Sequence, residues 1–136
     1  MGMQNDDASA PRTLTAEEIQ RVIDLAMDLA REGRTADLLE FIDHGLPIET
    51  RDPAGNTVLM LAAYHGQSDT VTALLSRGAD VDARNTRDQS ILAGALFKGE
   101  DAIARELIVS GADLDAGTPT ARQAAEMFGR AHLLSD

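Results

Sequence analysis

Residues 52–83 read DPAGNTVLMLAAYHGQSDTVTALLSRGADVDA. Two apolar runs, VLMLAAY (58–64) and VTALL (71–75), are each closed by a glycine, Gly66 and Gly78, after which ADVDA leaves the helical path. Thr57, and either Ser68 or Asp69, stand where helix N-caps belong, because a side-chain oxygen there accepts an amide that the first turn leaves unpaired. The stretch therefore predicts a short helix, a turn, a second short helix and an extended turn. Its last ten residues, LLSRGADVDA (74–83), return as LIVSGADLDA (107–116). Gly78 and Gly111 are 111 − 78 = 33 residues apart, Gly45 lies another 33 back, and Gly33, Gly66 and Gly99 keep the same interval. A period of this size marks a stack of small units, none of which buries its apolar side alone.

The same plan extends in both directions. Downstream come SILAGALFKG (90–99), EDAIARELIVSG (100–111) and ADLDAG (112–117), and then TARQAAEMFG (120–129), while RAHLLSD barely makes another turn. Thr120 stands 120 − 90 = 30 residues after Ser90, so the connection before it has lost three residues. Upstream, Thr15 and Glu18 form a capping-box pattern and Leu14 can staple onto Ile19. Ile19, Val22, Ile23, Ala26, Leu29 and Ala30 fall at helical spacing, with Gly33 as the stop. A second helix follows, with Thr35 as its cap and Leu38, Leu39, Phe41 and Ile42 as its buried side, ending at Gly45. Val81, Leu114 and Ile48 occupy one equivalent position tucked against the stack. Residues 1–14 are polar and aperiodic and read as a flexible leader. The remainder, 15–136, reads as one domain of repeats at about 15–51, 52–84, 85–117 and 118–136.

Asp52–Ala83 resembles an ankyrin repeat: Asp, two variable residues, Gly, then the Thr-Pro-Leu-His position, Ala-Ala, Gly, Leu-Leu and Gly-Ala-Asp. Weaker copies cover roughly residues 24–136. The resemblance implies an all-α solenoid of about four helix-turn-helix units with β-hairpin-like turns, atypical caps at both ends, and protein binding rather than catalysis. The family's Pro-Leu-His is Val58, Leu59 and Met60 here, Ile91, Leu92 and Ala93 in the third unit, and Ala121, Arg122 and Gln123 in the fourth. The Thr–His hydrogen bonding that the resemblance would imply is missing, so stability is expected to lean on apolar packing.

Composition narrows the function. Aromatics make up 3% of the chain and there is no Trp, so the core rests on Leu, Ile, Val and Ala, which suits stacked helices better than a β-sandwich. The net charge of −11 repels phosphate backbones and anionic headgroups, which argues against nucleic-acid or membrane partners. With no Cys, thiolate catalysis and Cys-based zinc sites fall away. The opening residues match neither a secretory signal nor a myristoylation site, and no apolar run is long enough to span a bilayer. A soluble, cytoplasmic, monomeric protein is expected, and the excess of Arg over Lys suits a GC-rich bacterial genome. DVD and DLD lack the donor density of a calcium loop and read as turn carboxylates that accept backbone amides. His44, His65 and His132 have no zinc spacing. Neither catalytic residues, metal nor cofactor is expected.

In the resembled fold, the two residues before the glycine that ends each first helix face the groove. One column reads Arg31, Tyr64, Phe97 and Met127, and the other Glu32, His65, Lys98 and Phe128. Three of the four aromatics fall in these columns, a residue type enriched at binding hot spots. Sideways packing between repeats is the competing account of Tyr64 and Phe97, and cover for the truncated end is that of Phe128. The hairpin tips, TRDPAGN (50–56) and ARNTRDQ (83–89), add Arg51, Asn56, Arg84, Arg87 and Gln89. The expected partner-binding set is therefore Arg31, Arg51, Asn56, Tyr64, His65, Arg84, Arg87, Gln89, Phe97 and Lys98, facing a protein segment with apolar and acidic groups. An acidic inhibitor or immunity-type protein that neutralises a basic target is the alternative, resting on the net charge.

Overall fold

The computed structural model describes residues 13–134. Most of the expected leader, residues 1–12, and residues 135–136 lie outside the described residues. Among the described residues seven helices follow in order: α1 (Ala16–Glu32), α2 (Thr35–Asp43), α3 (Val58–Tyr64), α4 (Ser68–Ser76), α5 (Ile91–Lys98), α6 (Asp101–Val109) and α7 (Ala121–Met127), with a single 3₁₀ turn at Ala131–Leu133. Two isolated antiparallel bridges, Arg51 with Thr57 and Arg84 with Ser90, close the hairpin-like turns. The architecture is an all-α solenoid, as expected. Helices α1, α3, α5 and α7 pack in series as an inner row, and α2, α4 and α6 form an outer row behind them.

The inner helices begin where their caps lie. Thr15, Thr57, Ser90 and Thr120 each accept the amide of the residue three positions on. The position where the resembled family has His is filled in different ways. Met60 Sδ accepts the Thr57 amide at 3.4 Å, Gln123 Oε1 accepts the Thr120 amide at 3.0 Å, and Ala93 has no side chain that can do so.

The outer helices correct the expected caps. Arg34 and Gln67, not Thr35 and Ser68 or Asp69, hold the N-cap positions of α2 and α4, without a side-chain cap bond. The tight passage from inner to outer helix turns Gln67 toward the preceding unit, whereas Arg34 pairs with Asp37 of its own helix. Gln67 Nε2 donates to the Arg31 carbonyl at 2.7 Å, and the Thr35 and Thr70 hydroxyls bond at 2.6 Å. The same passage accounts for the glycine series Gly33, Gly66 and Gly99, with φ of 73°, 73° and 75°. Besides the left-handed backbone, a Cβ at Gly66 would lie 2.8 Å from Glu100 Oε2, and one at Gly99 3.0 Å from an Arg130 guanidinium nitrogen.

One core runs the length of the stack. Val58 to Ala63 are all buried, as are Ile91, Leu92, Ala93, Ala95 and Leu96. Alanines at Ala26, Ala30, Ala62, Ala63, Ala95, Ala124 and Ala125 allow neighbouring inner helices to approach closely. Outer helices contribute Leu38, Val71, Leu74, Ile103, Ala104 and Leu107. Ile48, Val81 and Leu114 pack against this core from the turns, as their shared position predicts. Phe41 aligns with Leu74 and Leu107 but is only partly buried, because α2 has an outer-row neighbour on one side only. Leu14 and Ile19, expected to staple together, remain 44% and 45% exposed.

Polar ties between units repeat at nearly the same interval. Arg77 donates to both carboxylate oxygens of Asp43 at 3.1 Å, and Arg130 to Asp101 at 2.6 Å. The hydrogen bond from each guanidinium holds its carboxyl below the usual range. In the turns, Glu49 accepts the Asp80 amide and Asp82 the Asp113 amide, both at 2.7 Å. Asp80 and Asp113 accept the amides two residues on, at 2.9 Å. Three of the four DVD and DLD carboxylates thus stitch backbone, as read from the sequence, and the fourth, Asp115, pairs with Arg122 at 2.8 Å.

Candidate partner-binding groove

Both groove columns lie at the C-terminal ends of the inner helices. Tyr64 is the last residue of α3 with His65 as its C-cap; Phe97 and Lys98 end α5; Met127 ends α7 with Phe128 as its C-cap. The hairpin tips flank the N-terminal ends of the same helices. Four expected site residues, Tyr64, Gln89, Phe97 and Lys98, line one depression of about 400 Å³ together with Ala93, Gly94, Thr118, Pro119, Ala124, Met127 and Phe128.

Within it, Tyr64 combines the two readings made of it. The ring lines the depression but is half-buried, lying across Gly94 of the next unit. A Cβ at Gly94 would stand 2.8 Å from Tyr64 Cδ1 and nearer still to Cε1. The hydroxyl donates to the Ser90 carbonyl at 3.4 Å, and burial pushes the phenol pKa up to about 12. Phe97 is 64% exposed and Met127 65%. Phe128 meets Phe97 edge to face, with ring centroids 5.1 Å apart and an interplanar angle of 71°. Phe128 therefore belongs to the groove wall as well as to the closing unit.

The remaining expected residues are divided among other tasks. Arg51 donates to the Gly55 carbonyl at 2.7 Å and to the Arg84 carbonyl at 2.8 Å, joining one hairpin to the next. Asn56 donates to Asp52 and accepts from Asn85 at 2.9 Å. Arg84 pairs with Asp88 at 3.0 Å, and Arg31 with Asp28 at 2.8 Å. The His65 ring bonds the Leu61 carbonyl at 2.9 Å. Arg87 is exposed at a hairpin tip, where its backbone amide donates to Asn85. Asp88 adopts φ 59° at the position of Gly55, φ 81° in the preceding hairpin. Its carboxylate and carbonyl hold the hydroxyl and amide of Thr118 at 2.7 and 2.8 Å.

Sequence reasoning left Met127 and Phe128 out of the expected set although both stand in the columns, and it missed Gly94, Thr118 and Pro119. The signal for Gly94 is the aligned series Leu61, Gly94, Ala124, in which a bulky side chain disappears after the second unit. Thr118 and Pro119 lie in the shortened connection, where the period of 33 no longer assigns a position.

Paired helices in two rows with hairpin turns on one side define a helical repeat protein with a lateral groove. The ankyrin-repeat family model, in three copies, matches residues 26–118, and the chain belongs to that family, whose repeats are in general modules for protein–protein interaction. Over 62 residues the chain is 40% identical to a Pseudomonas aeruginosa protein named for its ankyrin repeats; this covers 46% of the chain and 36% of that protein's length. No helix among the described residues is long and apolar enough to cross a membrane.

Proposed function

We propose that the chain is a non-enzymatic module that holds a partner protein against the inner-helix ends and hairpin tips, with the depression between α5 and α7 as the anchor. The observation that carries this reading is the placement of Phe97 and Met127, each roughly two-thirds exposed, on the rim of an apolar recess that three of the four aromatics line. The stack gains little stability from displaying these two apolar side chains, whereas covering them favours binding of a partner. The protein acts as a cytoplasmic monomer, its charge of −11 keeping copies apart.

The test is a Phe97→Ser, Met127→Ser double variant. Both side chains face solvent, so its helical circular dichroism and unfolding midpoint should stay close to those of the parent. It should no longer retain the partner that the parent chain captures from its native host. Equal retention by the folded double variant would dismiss the groove. Tyr64→Ala is a poorer probe because its ring also fills space over Gly94.

A further inference from the structure

The depression carries charge as well as apolar surface. It runs beside α5, from Gln89, Thr118 and Pro119 near the helix's N-terminal end to Lys98 and Phe128 at its C-terminal end. Eight helical residues rise about 12 Å, the span of roughly four residues of extended chain. Small residues, Ala93, Gly94 and Ala124, line it between the larger side chains of Tyr64, Phe97, Met127 and Phe128.

Lys98 is the chain's single lysine and is exposed on the rim. Arg31, Arg34, Arg77, Arg84, Arg122 and Arg130 each hold an aspartate. Lys98 forms no ion pair among the described residues. Among the described residues no carboxylate lines the depression, in a chain with 23 acidic residues against 12 basic ones. A partner segment that covers Lys98 without offering an anion would desolvate an uncompensated charge, and a basic segment would add repulsion.

We propose that the depression takes a short extended segment of a partner protein in which a bulky apolar residue lies within a few positions of a carboxylate. The apolar side chain seats among Phe97, Met127 and Phe128, and the carboxylate meets Lys98. This rests on the groove-binding reading above and adds the chemistry that selects the partner. The apolar contact supplies most of the affinity, and the lysine supplies the preference for acidic over basic sequences.

The experiment pans a displayed library of random peptides against the intact chain and repeats the selection on Lys98→Glu and on Phe97→Ser, with Met127→Ser as a second apolar variant should Phe97→Ser fail to fold. The parent should enrich peptides with an aromatic or large aliphatic residue close to Asp or Glu. Lys98→Glu should retain the apolar residue but exchange the acid for Arg or Lys, and should bind the parent's peptides at least about tenfold more weakly. Phe97→Ser should lose both classes. Peptides that depend on Phe97 yet show no acidic preference, or whose preference survives Lys98→Glu, would overturn this inference and leave the groove reading standing. Binding indifferent to both Phe97→Ser and Met127→Ser, or no enrichment at all, would overturn both.

Discussion

Gly94 occupies the interior of α5, where glycine costs a helix roughly 1 kcal/mol relative to alanine. The reason lies in the neighbouring unit, because the Tyr64 ring occupies the volume that a methyl group would need. Gly94→Ala is therefore expected to lower the urea midpoint, a net loss of about 1 kcal/mol once the propensity gain is set against roughly 2 kcal/mol of overpacking. In a Tyr64→Ala background the same substitution should be neutral or stabilising, and a double-mutant cycle measures the coupling. Tyr64 also reports its own burial. Its folded pKa of about 12 lies above the usual value near 10, so its contribution to stability is complete below about pH 10 and is lost as pH rises through 12. With one tyrosine and no tryptophan, phenolate absorbance follows this group alone. Its midpoint should fall from about 12 in the native protein to about 10 in denaturant; a native midpoint already near 10 would place the ring in open solvent.

At the scale of the helix, the inner row was legible because its signals are local. Thr57 and Thr120 precede their apolar runs directly, and each accepts an amide three residues away. Thr57 is 1% exposed, so removing its hydroxyl strands a buried amide. Thr57→Val should cost about 1–2 kcal/mol in chemical denaturation, more than a cap on an exposed helix. The outer row was misread at its starts because its first residues answer to another unit. Gln67 bonds the Arg31 carbonyl, 36 positions upstream, and no window of sequence around Ser68 contains that partner.

For the whole molecule, stability is shared between neighbours, so an end unit matters out of proportion to its length. Helix α7 and the 3₁₀ turn add only Ala121, Ala124, Ala125 and Leu133 to the buried set, yet they cover one side of α5 and supply Phe128 against Phe97. Deleting residues 118–136 should lower the urea midpoint and flatten the transition, as α5 frays and less surface is exposed cooperatively on unfolding. Circular dichroism read against urea checks this; an unchanged midpoint and slope would show that the last unit shares no core with the rest.

The repeat, the inner helices and the turn carboxylates followed from the sequence alone, because each depends on residues close together along the chain or on the interval of 33, while the two groove columns came from the ankyrin resemblance. Tertiary structure decided what each expected site residue touches. Arg51 and Asn56 were spent on joining hairpins, Arg84 on pairing with Asp88 of its own hairpin, Tyr64 was drawn half under the next unit, and Phe97, Met127, Phe128 and Lys98 were left around a recess. Those outcomes depend on which side chain of one unit meets which gap in the next, and packing across the stack settles that only once the units lie side by side.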